Sequence, residues 1–590
     1  MADNTSSEKL TALRSELEKQ GLDGLLVQRA DLFQGEEVRP CDERLAYISG
    51  FTGSAGYALI LKNSAALFSD QRYSLQMQNQ TDAKEWKCYD TMKFGIKDVI
   101  ANLDDVAGNI VIGYDSWTMT AGEVEKLLDS ANGISISWVA LRNSLIDEIW
   151  QERPDKKIIH HWYMPDEIAG RSAQQKITEL YERQSKGDPL TSILVSKVDS
   201  VNWLLNVRGD ALAHTPFFHA MLLVHSSSDI VVISEDKPEI DFQIEGLEIE
   251  HKCFNEMSEI AKKLVDRKIQ IDKSSCPKAL LDCFLEQNSA IEFKPDSTVL
   301  VKAQKNEAEL KGMKDAHIKD AVAFCQFWYW FERAVYNQPI TECEVATYLS
   351  EFRAQQPEYI CDSFPAIVGF NDNGAIVHYR AKKGEDSKIE NNGVVLIDSG
   401  AHYKAGTTDI TRCFAIAEPT AKAVLANSLV VGAHLTLSNA IFPKGVSGIQ
   451  LDAICRQGLW DNKMDYGHGT GHGVGHVLSV HEGPASLSKR GSQEILAGMI
   501  LSNEPGYYKP GEFGIRQENL VHVITVSDDF LGFENLTFIP FDKRLIDTSL
   551  LSKTQIDALN SYHQEVLEKI RPHLPHELQD WFEHKCEALS

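Results

Sequence analysis

No stretch of the 590-residue chain approaches the ~18 consecutive apolar residues needed to cross a membrane. The first residues, MADNTSSEKL, also lack the basic start and apolar run of an export signal, so a cytoplasmic location is the expectation. Cysteine pairs at CxxC spacing are missing. The eleven cysteines run singly from Cys41 to Cys586, which excludes a disulfide framework and a structural thiolate–zinc site. Positive charge is scarce as well. The 59 Lys and Arg against 85 Asp and Glu leave a net charge of −26, which repels nucleic acid and anionic membranes, so neither is expected as a partner. No low-complexity linker interrupts the chain, and its domains are expected to pack closely.

Hydrophobic residues make up 43% of the sequence, enough at this length for several filled cores. Acids are so abundant that an isolated Asp or Glu carries little information; only carboxylates in a specific context count.

The order of elements comes next. SEKLTALRSELEKQG places Leu10, Leu13 and Leu17 at helical spacing, with Gly21 as the stop. LDGLLVQ reads as a buried strand, and YISGFTGSAGYALILK as a glycine-rich turn feeding another, before a helix-rich stretch to about Trp150. The next segment repeats that order. AQQKITELYERQSKG reads as a helix, LTSILVSK as a strand, and FHAMLLVHSSSDIVVISED matches GYALILKNSAALFSDQ. An internal duplication is predicted, with two unrelated α/β domains as the alternative. A long helix is predicted from Glu307, with Leu310, Met313, Ala321, Phe324 and Trp328 on its apolar face. A second starts at Thr341, where Glu344 completes a capping box. The end, Thr554 to Leu589, reads as helices broken at Pro572 and Pro575, a packed appendage. The expected domains are residues 1–155, 156–302 and 303–590.

Four stretches of the last segment carry chemistry. In VVLIDSGAHYKAGTTDITRCFAI, one strand ends at Asp398 and the next begins at Asp409, so a hairpin brings two acids to one end. Acids so placed must share a proton or hold a cation; alone, each is as readily a turn residue. In YGHGTGHGVGHVLSVHEGP, His468, His472 and His476 recur every four residues, but alternating glycines rule out a helix. A loop passing close to a metal or substrate is the expectation there. MILSNEP is a strand ending at Glu504, and the alternation in IRQENLVHVITV puts Arg516 and Glu518 on one face of a strand. Together Asp398, Asp409, His472, Glu504 and Glu518 supply four carboxylates and one imidazole, enough to balance two divalent cations. Such oxygen-rich ligation favours manganese, cobalt or zinc over calcium, and paired metals of this kind do hydrolytic chemistry.

At these residues the sequence resembles the M24 metallopeptidases. Asp, Asp, His, Glu, Glu is that family's ligand order, and it falls on Asp398, Asp409, His472, Glu504 and Glu518. HGTGHGVG, VHEGP, the stretches ERLAYISGFTGSAG and SDQRY near the N-terminus, and the three-segment length resemble its cytosolic Xaa-Pro aminopeptidases. The resemblance implies an α/β (α+β) chain: two related creatinase-like domains, then a pita-bread catalytic domain. It implies two divalent metal ions, manganese first and cobalt or zinc as alternatives, with a bridging hydroxide that cleaves peptides with proline second. Asp409 and Glu518 would bridge the metals, Asp398 would hold one, and His472 and Glu504 the other. Glu504 would also manage the proton of the bridging water. His378, His472 and His481 would face the substrate, Arg72 would help to bind it from an N-terminal domain, and Arg516 would support Glu518. A homodimer is implied too. His476 stands where a small residue is expected and is given no role beyond a supporting or surface one. Prolidase, an Xaa-Pro dipeptidase, is the rival reading, and a pita-bread binding module without activity the more distant one; all five ligands argue against the latter.

Overall fold

Thr5 and Glu8 form a capping box that starts a helix over Ser6–Lys19, and Leu10, Leu13 and Leu17 bury one face of it. Gly21, at φ +67°, ends the element in a conformation a side chain would oppose. From such local rules the computed structural model, which describes residues 5–101, 109–130, 136–157, 159–236, 243–390 and 392–590, builds two compact units. One comprises residues 1–166 and 171–298, the other 167–170 and 299–590.

The first unit holds two six-stranded sheets. Strands β1 (Gly24–Gln28), β2 (Tyr57–Leu61), β3 (Ala65–Ser69), β4 (Trp86–Asp90), β5 (Ile110–Asp115) and β6 (Ile136–Leu141) lie in the order β4-β3-β2-β1-β5-β6. Strands β7 (Thr191–Val195), β8 (Ala220–Val224), β9 (Asp229–Ser234), β10 (Glu248–Cys253), β11 (Lys268–Ile271) and β12 (Ala290–Phe293) lie in the order β10-β9-β8-β7-β11-β12. Numbered within each half, both read 4-3-2-1-5-6. The directions agree as well. In each, the first strand is antiparallel to the second and the second to the third, while 3–4, 1–5 and 5–6 are parallel. The halves are a duplication whose topology outlived its sequence identity.

The second unit begins with helices α1 (Glu307–Asn337) and α2 (Glu342–Ala354), started by capping boxes at Asn306/Glu309 and Thr341/Glu344. Strands β13 (Ile367–Phe370), β14 (Gly393–Ser399) and β15 (Ile410–Ile416) form an antiparallel sheet in that order. Period two then sorts the side chains. Val395, Ile397, Ile410 and Phe414 enter a core with α1, and Val394, Leu396, Cys413 and Ala415 enter a second core on the opposite face. Asp398, Asp409 and Thr411 continue the second set in register, so the strand pattern aims them at the second core's end of the sheet.

That second core also takes in α3 (Ala421–Ser438), α4 (Gly448–Asp461) and a six-stranded sheet. The sheet comprises β16 (Phe442–Pro443), β17 (Gly471–Gly473), β18 (Glu482–Leu487), β19 (Ile500–Asn503), β22 (Asn519–Thr525) and β23 (Phe530–Asn535), in the order β16-β23-β22-β19-β17-β18. The hairpin β20 (Gly506–Lys509) and β21 (Phe513–Arg516) stands apart from it. Helix α3 is long and apolar enough to cross a membrane, a run the sequence reading passed over, but two-thirds of it is buried within the unit. Helices α5 (Lys553–Ile570) and α6 (His576–Cys586) insert Leu559, Val566, Leu578 and Phe582 into the α1 core. The C-terminal stretch is thus part of the domain's interior.

Candidate metal centre

Asp409, His472 and Glu518 present ligand atoms that all lie within 4.8 Å of one another. Asp409 directly precedes β15, His472 sits in the short strand β17, and Glu518 lies in the break between β21 and β22. Arg516 and Glu518 therefore do not share one strand, as alternation had predicted. They still converge, because Thr411 donates its hydroxyl to Glu518 Oε2 at 2.8 Å and receives Arg516 Nε at 3.2 Å.

Asp398 and Glu504 flank the three. Asp398 Oδ2 accepts from Arg516 Nη2 at 2.5 Å. Glu504 Oε1 lies 3.6 Å from His472 Nε2, as does Asp409 Oδ2. His472 Nδ1 donates to the Gly473 carbonyl at 3.0 Å, which leaves the lone pair of the neutral ring on Nε2, facing two carboxylates. Three acceptors so arranged repel one another unless a cation stands among them.

The carboxylates report the same need. Burial, then the charges of Glu518, Asp398 and Glu504, push the Asp409 carboxyl well above the usual range. Burial followed by Glu504 and Asp398 does the same to Glu518. Burial also raises Glu504 to about 7, with Asp398 adding to the rise and Arg516 opposing it. Asp398 Oδ1 and Asp409 Oδ1 are buried without a hydrogen-bond partner among the described residues. Two orphaned oxygens, a poised imidazole nitrogen and four acids against one arginine fit divalent cations with oxygen-rich ligation. Asp409 and Glu518 form a buried floor, whereas the side chains of His472 and Glu504 are each 18% exposed, so the site opens on their side.

Residues 311–525 match the family described as metallopeptidase family M24, and 529–589 match the C-terminal region of that peptidase. Residues 9–143 and 152–309 each match the creatinase/prolidase N-terminal domain. Aminopeptidase P2 of Arabidopsis thaliana is 36% identical over 96% of this chain and 86% of its own. The chain belongs to metallopeptidase family M24. A probable Xaa-Pro aminopeptidase P of Aspergillus niger is 33% identical over 99% of both chains. The crystal structure of X-prolyl aminopeptidase from Caenorhabditis elegans, described as a cytosolic enzyme with a di-nuclear active site, superposes with a TM-score of 0.91. It is 29% identical and covers 99% of this chain and 100% of its own.

The other residues expected from the M24 resemblance lie as follows. His481 is exposed in the bend before β18, its ring centroid 4.3 Å from that of His472 and nearly perpendicular to it. His378 is half-buried in the turn after the 3-10 segment Asn371–Ala375. That segment meets β21 through Gly374 and Gly514, where a Cβ on Gly514 would stand 1.7 Å from the Gly374 carbonyl oxygen. Two glycines thus let the His378 turn dock on the strand that carries Arg516. Arg72 belongs to the N-terminal unit, where Asp70 grips its guanidinium at 2.8 and 2.9 Å.

One expectation needs correction in part. Gly467, Gly469 and Gly475 lie outside regular structure, but Gly471 and Gly473 belong to strand β17, where close strand packing demands them. A Cβ on Gly471 would lie 1.9 Å from the Ser502 carbonyl oxygen, and one on Gly473 2.2 Å from that of Glu482. Of the two roles left open for His476, the supporting one fits and the surface one does not: it is 1% exposed, and its Nε2 donates to the Ala405 carbonyl at 3.0 Å.

Sequence reasoning also missed supporting residues. Tyr508 receives Arg516 Nη1 at 2.7 Å, and its hydroxyl meets His468 Nε2 at 2.7 Å. Buried Arg412 donates to the Glu518 carbonyl at 2.6 Å, to Asn519 Oδ1 at 2.7 Å and to the Tyr562 hydroxyl on α5 at 2.9 Å. Thr411 alone had a readable signal, since it stands two residues from Asp409 on the same strand face.

Proposed function

We propose that this chain is a metal-dependent aminopeptidase that releases the N-terminal residue from peptides with proline second. The observation that carries the reading is the convergence of Asp409, His472 and Glu518, flanked by Asp398 and Glu504, in a chain similar end to end to Xaa-Pro aminopeptidases. The creatinase-like domains are placed at 1–155 and 156–302 and the catalytic domain at 303–590.

Asp398, Asp409, His472, Glu504 and Glu518 would hold two divalent ions, manganese before cobalt or zinc. Such a pair, when bound, polarises a scissile carbonyl and makes water nucleophilic near neutral pH. Glu504 takes the proton of the attacking water and returns it to the leaving amine. His378 and His481 bind the peptide and hydrogen-bond the carbonyl oxygen as negative charge develops on it. His472 lines the same substrate position, and Arg72 is assigned a peptide-binding role. Arg516 keeps Asp398 in place and, through Thr411, Glu518.

An Xaa-Pro bond has no amide N–H, so a protease that grips that group handles it poorly. A site that recognises a free α-amine and a carbonyl needs no such N–H. The enzyme is placed in the cytoplasm as a homodimer acting on peptides. Purified protein should carry two metals per chain by mass spectrometry and cleave Xaa-Pro-Yaa faster than Xaa-Ala-Yaa. Faster turnover of the dipeptide Xaa-Pro than of Xaa-Pro-Yaa would favour prolidase, and protein purifying with no metal and no activity a binding role.

A further inference from the structure

Beside the metal centre lies a trio of charges that none of the roles above uses. Lys302 Nζ stands 2.9 Å from Glu482 Oε1 and Lys305 Nζ 2.6 Å from Glu482 Oε2, with side-chain exposures of 0%, 1% and 2%. Removing three charges from water carries a desolvation cost that apolar side chains of similar size would avoid. One surplus positive charge stays buried with them.

The location of Glu482 suggests what the trio is for. It directly follows His481, and residues 474–481 before it form no regular strand or helix. Across the sheet Glu482 pairs with Gly473, next to the ligand His472. The lysines are themselves fixed: Lys305 Nζ also donates to the Lys302 carbonyl at 3.1 Å, and the Lys305 amide donates to the Gly498 carbonyl at 2.8 Å. Gly475 clears space for the carboxylate, since a Cβ there would lie 3.1 Å from Glu482 Oε1. His481 is thus an exposed ring on an irregular segment whose next residue is clamped from both sides.

We propose that Lys302 and Lys305 are positioning residues for His481, acting through the Glu482 carboxylate, so that the ring stands edge-on over His472 where the peptide carbonyl arrives. This rests on the reading of His481 as a substrate-binding group.

The test is a double-mutant cycle in the full-length, metal-loaded enzyme. Lys302→Met removes one clamp and leaves a neutral ion pair, so metal content and Tm should hold. Its kcat on an Xaa-Pro-Yaa peptide should fall by roughly ten- to a hundredfold, the scale of an ångström's misplacement, with KM changed less than about twofold. In a His481→Ala background the same substitution should cost less than about twofold more, because the group it positions is gone. Glu482→Asp keeps every charge and shortens the tether, so it should lower kcat in the same way, and it serves if Lys302→Met fails to fold. Equal losses with and without His481, or full kcat in both Lys302→Met and Glu482→Asp, would overturn the proposal. Full activity in His481→Ala would instead overturn the reading beneath it.

Discussion

The metal-free Glu504→Gln protein should be more stable than the metal-free parent, although the substitution removes a proposed metal ligand. Burial and Asp398 raise the folded-state pKa of Glu504 from 4.5 to about 7. The folded state therefore binds more protons than the unfolded chain between those values, and its stability falls as pH rises through that window. At about 1.4 kcal/mol per pKa unit, ionising Glu504 costs the metal-free fold on the order of 3 kcal/mol by pH 8. Glutamine has the same shape and no charge to ionise. The metal-free variant should therefore exceed the metal-free parent by on the order of 3 kcal/mol at pH 8, with the gap closing to within about 0.5 kcal/mol at pH 4.5. With an unfolding entropy typical of a large domain, that is a Tm difference of about 5–10 °C at pH 8. The assay is thermal unfolding in chelator across this pH range. Adding manganese should reverse the order, because the parent gains binding energy that the variant lacks. A metal-free variant that is equally or less stable at pH 8 would refute the claim that the empty site is strained by its own charge.

Asp409→Asn or Glu518→Gln should abolish turnover and lower metal content with the fold intact, as activity at saturating manganese and mass spectrometry would report. His378→Ala and His481→Ala should each lower kcat by about two orders of magnitude while both metals stay bound; loss of metal would make that residue a ligand instead. Arg516→Met removes bonds to Asp398, Tyr508 and Thr411 and the guanidinium charge that opposes the acids, so it should destabilise the metal-free protein more than the loaded one, read as a larger manganese-induced rise in Tm. His476→Ala should leave both metals and most activity but cost about 1 kcal/mol of stability, because the part-buried Ala405 carbonyl loses its donor.

Much of this molecule is written in local signals. Thr341 with Glu344 announces α2, Leu10, Leu13 and Leu17 announce the first helix, and aspartates near the end of one strand and just before the next announce two of the five candidate ligands. These features depend on residues a few positions apart, which spacing can reveal. The remainder depends on partners far along the chain. Arg412 supports Glu518 from 106 residues away, and Lys305 meets Glu482 across 177. Gly471 and Gly473 misled for the same reason, since the backbones they admit belong to β19 and β18, further along the chain. His476 looked idle because its acceptor lies 71 residues upstream, in the turn between the strands of Asp398 and Asp409.

The central claim is an exopeptidase whose site recognises a free amine beside an Xaa-Pro carbonyl. Its most direct test compares one Xaa-Pro-Yaa peptide with its N-acetylated form on manganese-loaded enzyme, following release of the first residue by mass spectrometry. The account predicts turnover of the free peptide alone, at one cleavage position, and none of the acetylated form. Comparable cleavage of the acetylated peptide, or cleavage at internal bonds, would contradict it.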